Sequence, residues 1–222
     1  MKQFFYECPE NKYDELKVYF IEGWDEMNNI IINKIRDFSP KSYLDVGFGT
    51  GDILYGVAKS IPSCSKIVGI EPNLGMVRNT EKKYTFPENV EILQTDLEGF
   101  TPEYEFDVIS LCLVYHNLTE EMCNLNKITG LLKEGGMLII SDFVTSENKD
   151  DFIQERKHAC DKAIINGVSR KTVEEIYEQE LLDSTITRTE LKELLVLNGF
   201  KNTEELFDVG SYFVCSTIKS LS

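Results

Sequence analysis

The sequence lacks long apolar runs. No segment approaches the roughly 18 uninterrupted apolar residues that cross a membrane as a helix. The first residues gain acidic charge before any long apolar run begins, which is not typical of a secretory signal peptide. We therefore expect a cytoplasmic protein without a membrane anchor.

Paired cysteines and metal-ligand spacings are also missing. The six cysteines are scattered, with no CxxC pair and no histidine at metal-ligand spacing: Cys8, Cys64, Cys112, Cys123, Cys160 and Cys215. This pattern predicts reduced thiols and no structural zinc. No spaced set of acids marks an octahedral site either, so we expect no metal ion.

Basic residues are too few for a large anionic partner. The chain has 38 acidic and 23 basic residues, a formal net charge of −15, and its densest basic pairs are Lys82–Lys83 and Arg170–Lys171. Nucleic-acid binding needs a basic face, so we expect no nucleic-acid partner and favour a small-molecule substrate.

The middle of the chain alternates between short apolar runs and helical patterns. The apolar runs lie at 42–46, 66–70, 90–94, 106–113 and 137–142. The helical patterns lie at 52–60, 73–83 and 120–132, and Gly135–Gly136 are expected to end the last of these. Apolar strands separated by helices predict an α/β fold, a mostly parallel sheet with helices on both faces.

Helical segments flank this alternation. Residues 1–40 are predicted to form an N-terminal helical cap that ends before Pro40, and residues 41–222 one domain with a helical insertion at 147–184. The insertion either covers the carboxyl edge of the sheet as a lid or faces solvent as an appendage. A helix at 189–197, ended by Gly199, precedes two extended segments at 205–209 and 212–217.

The segment 44–52, LDVGFGTGD, is a glycine turn between a predicted strand and a predicted helix. Gly47, Gly49 and Gly51 let the backbone approach a ligand and adopt positive φ. The spacing G-x-G-x-G is neither that of dinucleotide sites nor that of a Walker loop. Asp45 either pairs with a ligand ammonium or caps the loop by accepting its N–H groups.

Two further acids follow predicted strands. Glu71 ends the second strand, twenty residues beyond Gly51, where a carboxylate can accept both hydroxyls of a ribose. Asp96 follows the third strand and can accept from an adenine amino group, while Leu97 offers the ring an apolar edge and a backbone donor. The three elements together indicate an adenosine-containing cofactor.

In this order, the motifs resemble the class I S-adenosylmethionine-dependent methyltransferases. The matching segments are LDVGFGTGD (44–52), IVGIEPN (67–73), QTDLEGF (94–100), FDVISLCLVYHNL (106–118) and LLKEGGMLIISDF (131–143). The resemblance implies S-adenosyl-L-methionine as cofactor and a Rossmann-like sheet of seven strands, the last antiparallel. It adds Phe48 and Pro72 to the expected cofactor contacts.

A narrower resemblance links the segments 21–32 and 170–200 to the carboxy-S-adenosylmethionine synthases and related small methyltransferases. It implies that Trp24 covers the cofactor, that Cys112 touches it, and that the chain forms a homodimer. The sequence has Cys112 where the synthases place asparagine, and no arginine in 190–198. These departures favour ordinary methyl transfer to a small molecule.

His116 follows the fourth strand, where the acceptor is expected to lie. A histidine there can deprotonate a hydroxyl or thiol, or it can simply line the acceptor pocket. Tyr115 is expected to pack rather than react, and His158 to be a surface residue. The N-terminal aromatic residues Tyr6, Tyr13, Tyr19 and Phe20 either wall the pocket or pack within the helix.

Two other functions remain open from the sequence. A regulatory homologue would keep the cofactor pocket without transferring methyl groups, and the intact glycine loop fits it equally well. An NAD-dependent dehydrogenase fits less well, because its loop needs the G-x-G-x-x-G spacing.

Overall fold

The computed structural model describes residues 10–118, 121–144, 149–182, 186–209 and 211–221. Seven strands form one sheet in the order β3-β2-β1-β4-β5-β7-β6. The strands are β1 (Ser42–Val46), β2 (Lys66–Ile70), β3 (Val90–Leu93), β4 (Phe106–Cys112), β5 (Leu132–Phe143), β6 (Phe200–Val209) and β7 (Tyr212–Lys219). The first five are parallel, and β7 is antiparallel to both β5 and β6. The predicted Rossmann-like sheet is therefore confirmed.

Helices cover both faces of the sheet. They are α1 (Glu10–Phe20), α2 (Trp24–Phe38), α3 (Asp52–Ser60), α4 (Leu74–Lys83), α5 (Glu121–Leu131), α6 (Lys149–Ile165), α7 (Arg170–Leu182) and α8 (Arg188–Leu197). Alternate residues of β1 point to opposite faces: Leu44 packs in the cluster that contains α5 and α8, whereas Tyr43 packs with α2 and α3. Two buried cores thus hold the sheet from either side. No helix in the described ranges is long and apolar enough to cross a bilayer.

The insertion and the N-terminal helix pack against each other. Leu16 and Phe20 of α1 share a buried cluster with Cys160 of α6 and with Val173 and Ile176 of α7. Phe152 of α6 also joins the buried cluster that includes Phe143 and Tyr212, at the ends of β5 and β7. The insertion therefore contacts the carboxyl edge of the parallel strands. The division of the chain at residue 40 stays a prediction.

Several boundaries differ from the sequence-based expectation. The predicted helix stop at Gly135–Gly136 is wrong, because α5 ends at Leu131 and both glycines lie inside β5. A Cβ on Gly136 would come within 3.0 Å of the Asp107 backbone oxygen, so the glycine permits a close approach to β4. β6 begins at Phe200, five residues before the predicted start at 205. Tyr6 and Gly210 lie outside the described residues.

Candidate active site

A cavity of about 280 Å³ opens at the carboxyl edge of the sheet, centred where β1 and β4 are neighbours. The strand order reverses there, and ligands of open α/β sheets bind at such switch points. We call its two walls the loop side and the His116 side. The loop side comprises Val46, Gly47, Gly49, Ile70, Glu71, Pro72, Asn73, Met76, Thr95, Asp96 and Leu97. The His116 side comprises Cys112, Leu113, Val114, His116, Asn117, Leu118, Phe143 and Tyr212.

Helix α1 forms a roof over this cavity. Tyr13, Lys17 and Phe20 lie at helical spacing on one face of α1 and line the cavity, together with Ile21 just beyond the helix. The Tyr212 hydroxyl donates to the Phe20 carbonyl oxygen over 3.0 Å, which fastens the end of the roof to β7. A ligand in the cavity is therefore covered from above.

The glycine loop adopts the backbone conformation that its sequence predicts. Gly47, Gly49 and Gly51 have φ values of 68°, 55° and 80°. A Cβ on Gly47 would approach Val114 to 2.3 Å, whereas at Gly49 it would meet nothing within 4 Å. Gly47 is thus required by packing against the opposite wall, and Gly49 leaves open space beside the loop for a ligand.

Glu71 lies directly after β2 and holds the glycine loop. Its Oε2 accepts the Gly49 N–H over 3.1 Å and its Oε1 accepts the Asn73 N–H over 2.9 Å. Burial raises the pKa of this carboxyl, and the two backbone donors oppose the increase. The loop-capping role that the sequence left open for Asp45 belongs here to Glu71. Each carboxylate oxygen retains capacity to accept a ligand hydroxyl.

Asp96, Leu97 and Pro72 complete the loop side. Asp96 is exposed and its Oδ1 accepts the Gly99 N–H over 2.7 Å, so the carboxylate is fixed by its own turn. Leu97 is buried, with one edge on the cavity. Pro72 follows Glu71 on the same wall. An acid, an apolar edge and a rigid turn therefore surround one end of the cavity.

Asp45 lies inside β1 and is only 2% exposed. Its Oδ1 accepts from the Ser110 hydroxyl over 2.8 Å, and the Tyr43 hydroxyl lies 2.6 Å from the same Ser110 oxygen. Burial raises the pKa of Asp45 to about 7, with a smaller increase from the charge of Glu71, against the hydrogen bonds from Ser110 and Tyr43. Its protonation can therefore change near neutral pH.

His116 is held by a carboxylate at the end of β5. Its Nδ1 lies 2.7 Å from Asp142 Oδ1, and its backbone N–H donates to Asp142 Oδ2 over 3.1 Å. Asp142 also accepts the Phe143 N–H over 2.8 Å, so as a carboxylate it can only accept from the ring. The proton of the neutral imidazole is thus on Nδ1, which leaves Nε2 as the basic nitrogen. The Asn117 amide nitrogen lies 2.9 Å from Nε2.

Four of the predicted cofactor contacts stand one layer behind the cavity wall. Trp24 is partly buried beneath Lys17, whose ammonium lies 4.8 Å from the ring centroid. Phe48 packs inward against Gly69, Gly51 packs against Thr80, and Asp45 lies in the sheet. Cys112 does line the cavity, on the His116 side, and burial raises the pKa of its thiol well above the ordinary value.

Sequence reasoning missed Asp142, Asn117 and Lys17. The signal for Asp142 was present, since it ends an apolar strand in the same way as Glu71. Asn117 adjoins the predicted His116. Lys17 offered no signal beyond its helical spacing from Tyr13, because only the fold brings α1 over the glycine loop.

Comparison with known proteins identifies the family and supports the fold. The profile of a family described as a methyltransferase domain matches residues 37–199. A plantazolicin methyltransferase, BamL, solved with SAH and a triazolic desmethylPZN analog, superimposes with a TM-score of 0.71 at 15% identity, over 99% of this chain and 94% of that chain. That likeness establishes the fold.

Two curated relatives extend the comparison. A demethylmenaquinone methyltransferase of Porphyromonas gingivalis is 25% identical over 215 residues, 88% of this chain and 87% of the relative. A carboxy-S-adenosyl-L-methionine synthase of Helicobacter hepaticus is 25% identical over 179 residues, 73% of this chain and 70% of the relative. With the family profile over most of the chain, these matches confirm the prediction from the motifs: the chain belongs to the methyltransferase domain family and is an S-adenosylmethionine-dependent methyltransferase that acts on a small molecule.

Proposed function

We propose that the acceptor is a small, largely apolar aromatic molecule with an ionisable hydroxyl, and that His116 removes its proton. The observation that carries this proposal is the His116–Asp142 pair, 2.7 Å apart, at the edge of an otherwise mostly apolar wall. Methylation would then occur on the hydroxyl oxygen or on a ring carbon activated by it.

The loop side is the proposed cofactor site. Glu71 would accept the ribose hydroxyls, and Asp96 and Leu97 would hold the adenine. Gly47, Gly49 and the neighbouring Pro72 would allow the close approach of the nucleoside. The open space beside Gly49 and the fixed carboxylate of Glu71 fit this ligand. Phe48, Gly51 and Trp24 would act by supporting the contacting residues, and Asp45 by attracting the ammonium of the amino-acid end.

The His116 side is the proposed acceptor site. Leu113, Val114, Leu118, Phe143 and Tyr212 offer apolar and aromatic surface, and the His116 ring lies 4.5 Å from that of Phe143. Such a wall excludes water and favours a flat apolar acceptor. The name of the demethylmenaquinone methyltransferase relative, which denotes a quinone-type acceptor, supports the same chemical class.

The chain's own groups support a direct transfer. S-adenosylmethionine supplies an electrophilic methyl group on its sulfonium. Nε2 of His116 would accept the acceptor's hydroxyl proton after displacing the Asn117 amide, and Asp142 would stabilise the imidazolium that forms. The resulting oxyanion, or the ring carbon that it activates, bonds to the methyl group as the bond to sulfur breaks. For attack by carbon, the proton on that carbon is then released to water, which restores the aromatic ring.

The test is label transfer from methyl-labelled S-adenosylmethionine to a matched panel of acceptors. We expect label on reduced demethylated naphthoquinones or simple naphthols, and none on aliphatic amines or thiols of similar size. The His116→Ala variant should lose this transfer and still bind S-adenosylhomocysteine. Label that appears only on amines or thiols would contradict the proposed acceptor class.

The carboxy-S-adenosylmethionine synthase relative suggests a second chemistry, but the charges do not favour it. An extra carboxylate near the methyl position would need a cation on the His116 side. Among the described residues that line the cavity, the only lysine or arginine is Lys17, and its ammonium contacts Thr50 and Asp52 on the opposite side. Ordinary methyl transfer is therefore the proposed reaction.

Location and assembly complete the proposal. The net charge of −15 supports an enzyme that does not bind nucleic acid, and the scattered cysteines support a cytoplasmic one. The resemblance of the 170–200 segment to lid regions that pair supports a homodimer. Light scattering of the purified protein tests the latter directly, and a monomer at enzyme-assay concentrations would contradict it.

A further inference from the structure

We propose that Lys17 binds the carboxylate of the donor's amino-acid end, so that the roof helix α1 is part of the cofactor site and selects ligands that carry this group. The inference rests on the cofactor site proposed above. It assigns a role to a residue of α1 that no sequence motif identified.

The charges of the cavity lead to this assignment. S-adenosylmethionine ends in an ammonium and a carboxylate. The acids Glu71 and Asp96 line the loop side, and Asp45 lies behind it. Among the described lining residues, Lys17 is the only one with an ammonium or guanidinium group. A carboxylate that enters this cavity therefore has one cationic partner on its walls.

Lys17 lies beside the glycine loop, where we expect the amino-acid end of the ligand. Its Nζ lies 3.2 Å from the Thr50 hydroxyl, inside the glycine loop, and it also pairs with Asp52 at the start of α3. The residue is only 4% exposed although its ammonium is charged. Burying a long cationic side chain from the roof directly against the loop is costly unless fixed acceptors surround it.

Neighbouring groups hold Lys17 in place and leave one contact to exchange. Asp14 and Asp52 each accept hydrogen bonds from Lys17 and from Lys83. The four side chains form a cluster of two carboxylates and two ammonium groups. Burial opposes ionisation of both acids, but their hydrogen bonds to Lys17 and other donors outweigh it and keep each pKa below its ordinary value. Of the three hydrogen bonds that Lys17 donates, the one to Thr50 is the longest. A carboxylate oxygen can replace it without breaking either ion pair.

The zwitterionic amino-acid end of the ligand also preserves the local charge balance around Lys17. The incoming carboxylate adds one negative charge near Lys17, and the ammonium beside it adds one positive charge. These two charges cancel at the amino-acid end, so that end adds no net charge to the neutral cluster; the sulfonium is outside this local balance. A ligand without the carboxylate would bring an unbalanced positive charge and leave Lys17 with its contacts unchanged.

The test compares S-adenosylmethionine with decarboxylated S-adenosylmethionine, which retains the ammonium and lacks only the carboxylate. Calorimetry should show that the wild-type protein binds the complete cofactor about 10- to 100-fold more tightly, the worth of a charged hydrogen bond. In Lys17→Met this preference should fall below about threefold, because only the complete cofactor loses affinity. Lys17→Arg should retain most of the preference.

Lys83→Met is the matched control. Lys83 pairs with the same two carboxylates, Asp14 and Asp52, but does not line the cavity, so its removal should leave the preference intact. If Lys17→Met lowered the affinity for both ligands equally, the proposal would be overturned and Lys17 would be a structural support of the roof. A preference that persists in Lys17→Met would also overturn it, and would point to a cation that does not line the cavity in this structure. A wild-type protein that binds neither ligand would instead contradict the cofactor site itself, and the inference with it.

Discussion

The two walls of the cavity are built in different ways. On the loop side, one short segment and the residues after β2 and β3 supply the site, and backbone N–H groups fix the Glu71 and Asp96 carboxylates. On the His116 side, residues from β4, β5 and β7 meet, and a side chain, Asp142, fixes the functional group. The loop side depends on local conformation, whereas the His116 side depends on tertiary packing.

The two walls therefore determine different kinds of specificity. A backbone-built wall tolerates little change and suits a ligand that all members of a family share. A wall of side chains can change its shape by substitution without disturbing the sheet. We therefore expect substitutions on the two sides to separate donor binding from chemistry on the acceptor.

The largest difference between the effect on kcat and the effect on cofactor affinity is expected at His116. His116→Ala should lower kcat by about 100- to 1000-fold, as loss of a general base does, while the Kd for S-adenosylhomocysteine stays within about twofold. Steady-state kinetics and calorimetry on the same preparation measure the two quantities. Asp142→Asn should lower kcat less, because it perturbs the tautomer and leaves the ring in place. Joint loss of kcat and cofactor affinity in His116→Ala would show that the walls are not separable.

At Glu71 we expect the opposite: a loss of cofactor affinity with little change in kcat. Glu71→Gln should weaken S-adenosylhomocysteine binding by about 10- to 100-fold, because the carboxylate loses charge toward both the ribose hydroxyls and the Gly49 N–H. At saturating donor, kcat should change little. Asp96→Asn is the matched control on the same wall: it is exposed, so we expect a smaller loss. Unchanged affinity in Glu71→Gln would remove the ribose assignment.

Asp45 should make donor binding depend on pH. Because burial raises its pKa to about 7, the carboxyl loses its charge as pH falls through 7 and can no longer attract the donor's ammonium. The Kd for S-adenosylhomocysteine should rise about tenfold between pH 8 and pH 6, the change in ionised fraction expected for that pKa. Glu71, Tyr43 and Cys112 are the other titratable groups around it. Glu71 contributes the same sign of effect.

The Asp45→Asn variant is the control for the pH dependence of Kd. It also tests how Asp45 affects the pH dependence of folding stability. The folded protein holds the Asp45 proton more tightly than the unfolded chain, whose pKa is near the ordinary value of 3.8. The contribution of this group to folding stability is therefore lost progressively as pH rises from about 4 to 7. The variant should flatten the affinity profile and raise the melting temperature above pH 7. A profile that stays steep in Asp45→Asn would assign the titration to another group.

The same contrast explains which features the sequence could predict. The glycine loop, Glu71 and Asp96 follow from spacing, because each depends on a strand end and the turn after it. The antiparallel direction of β7 came from the family resemblance. Asp142 as partner of His116 and Lys17 as part of the roof arise only when separate elements meet, and no periodicity encodes that meeting. The two glycines inside β5 led to a wrong prediction, because glycine serves both at a helix stop and where two strands approach closely.

Trp24 provides the smallest expected effect and tests the roof between the two walls. The resemblance placed this side chain on the cofactor, whereas it lies beneath Lys17 and does not line the cavity. Trp24→Phe keeps a ring under the ammonium, so the Kd for S-adenosylhomocysteine should change by no more than about threefold, the worth of a weakened cation–π contact. Calorimetry measures it, with Phe20→Leu, which does line the cavity, as the contrasting variant. A loss in Trp24→Phe as large as that in Glu71→Gln would place the indole on the cofactor, and α1 would then have to lie differently when the ligand is bound.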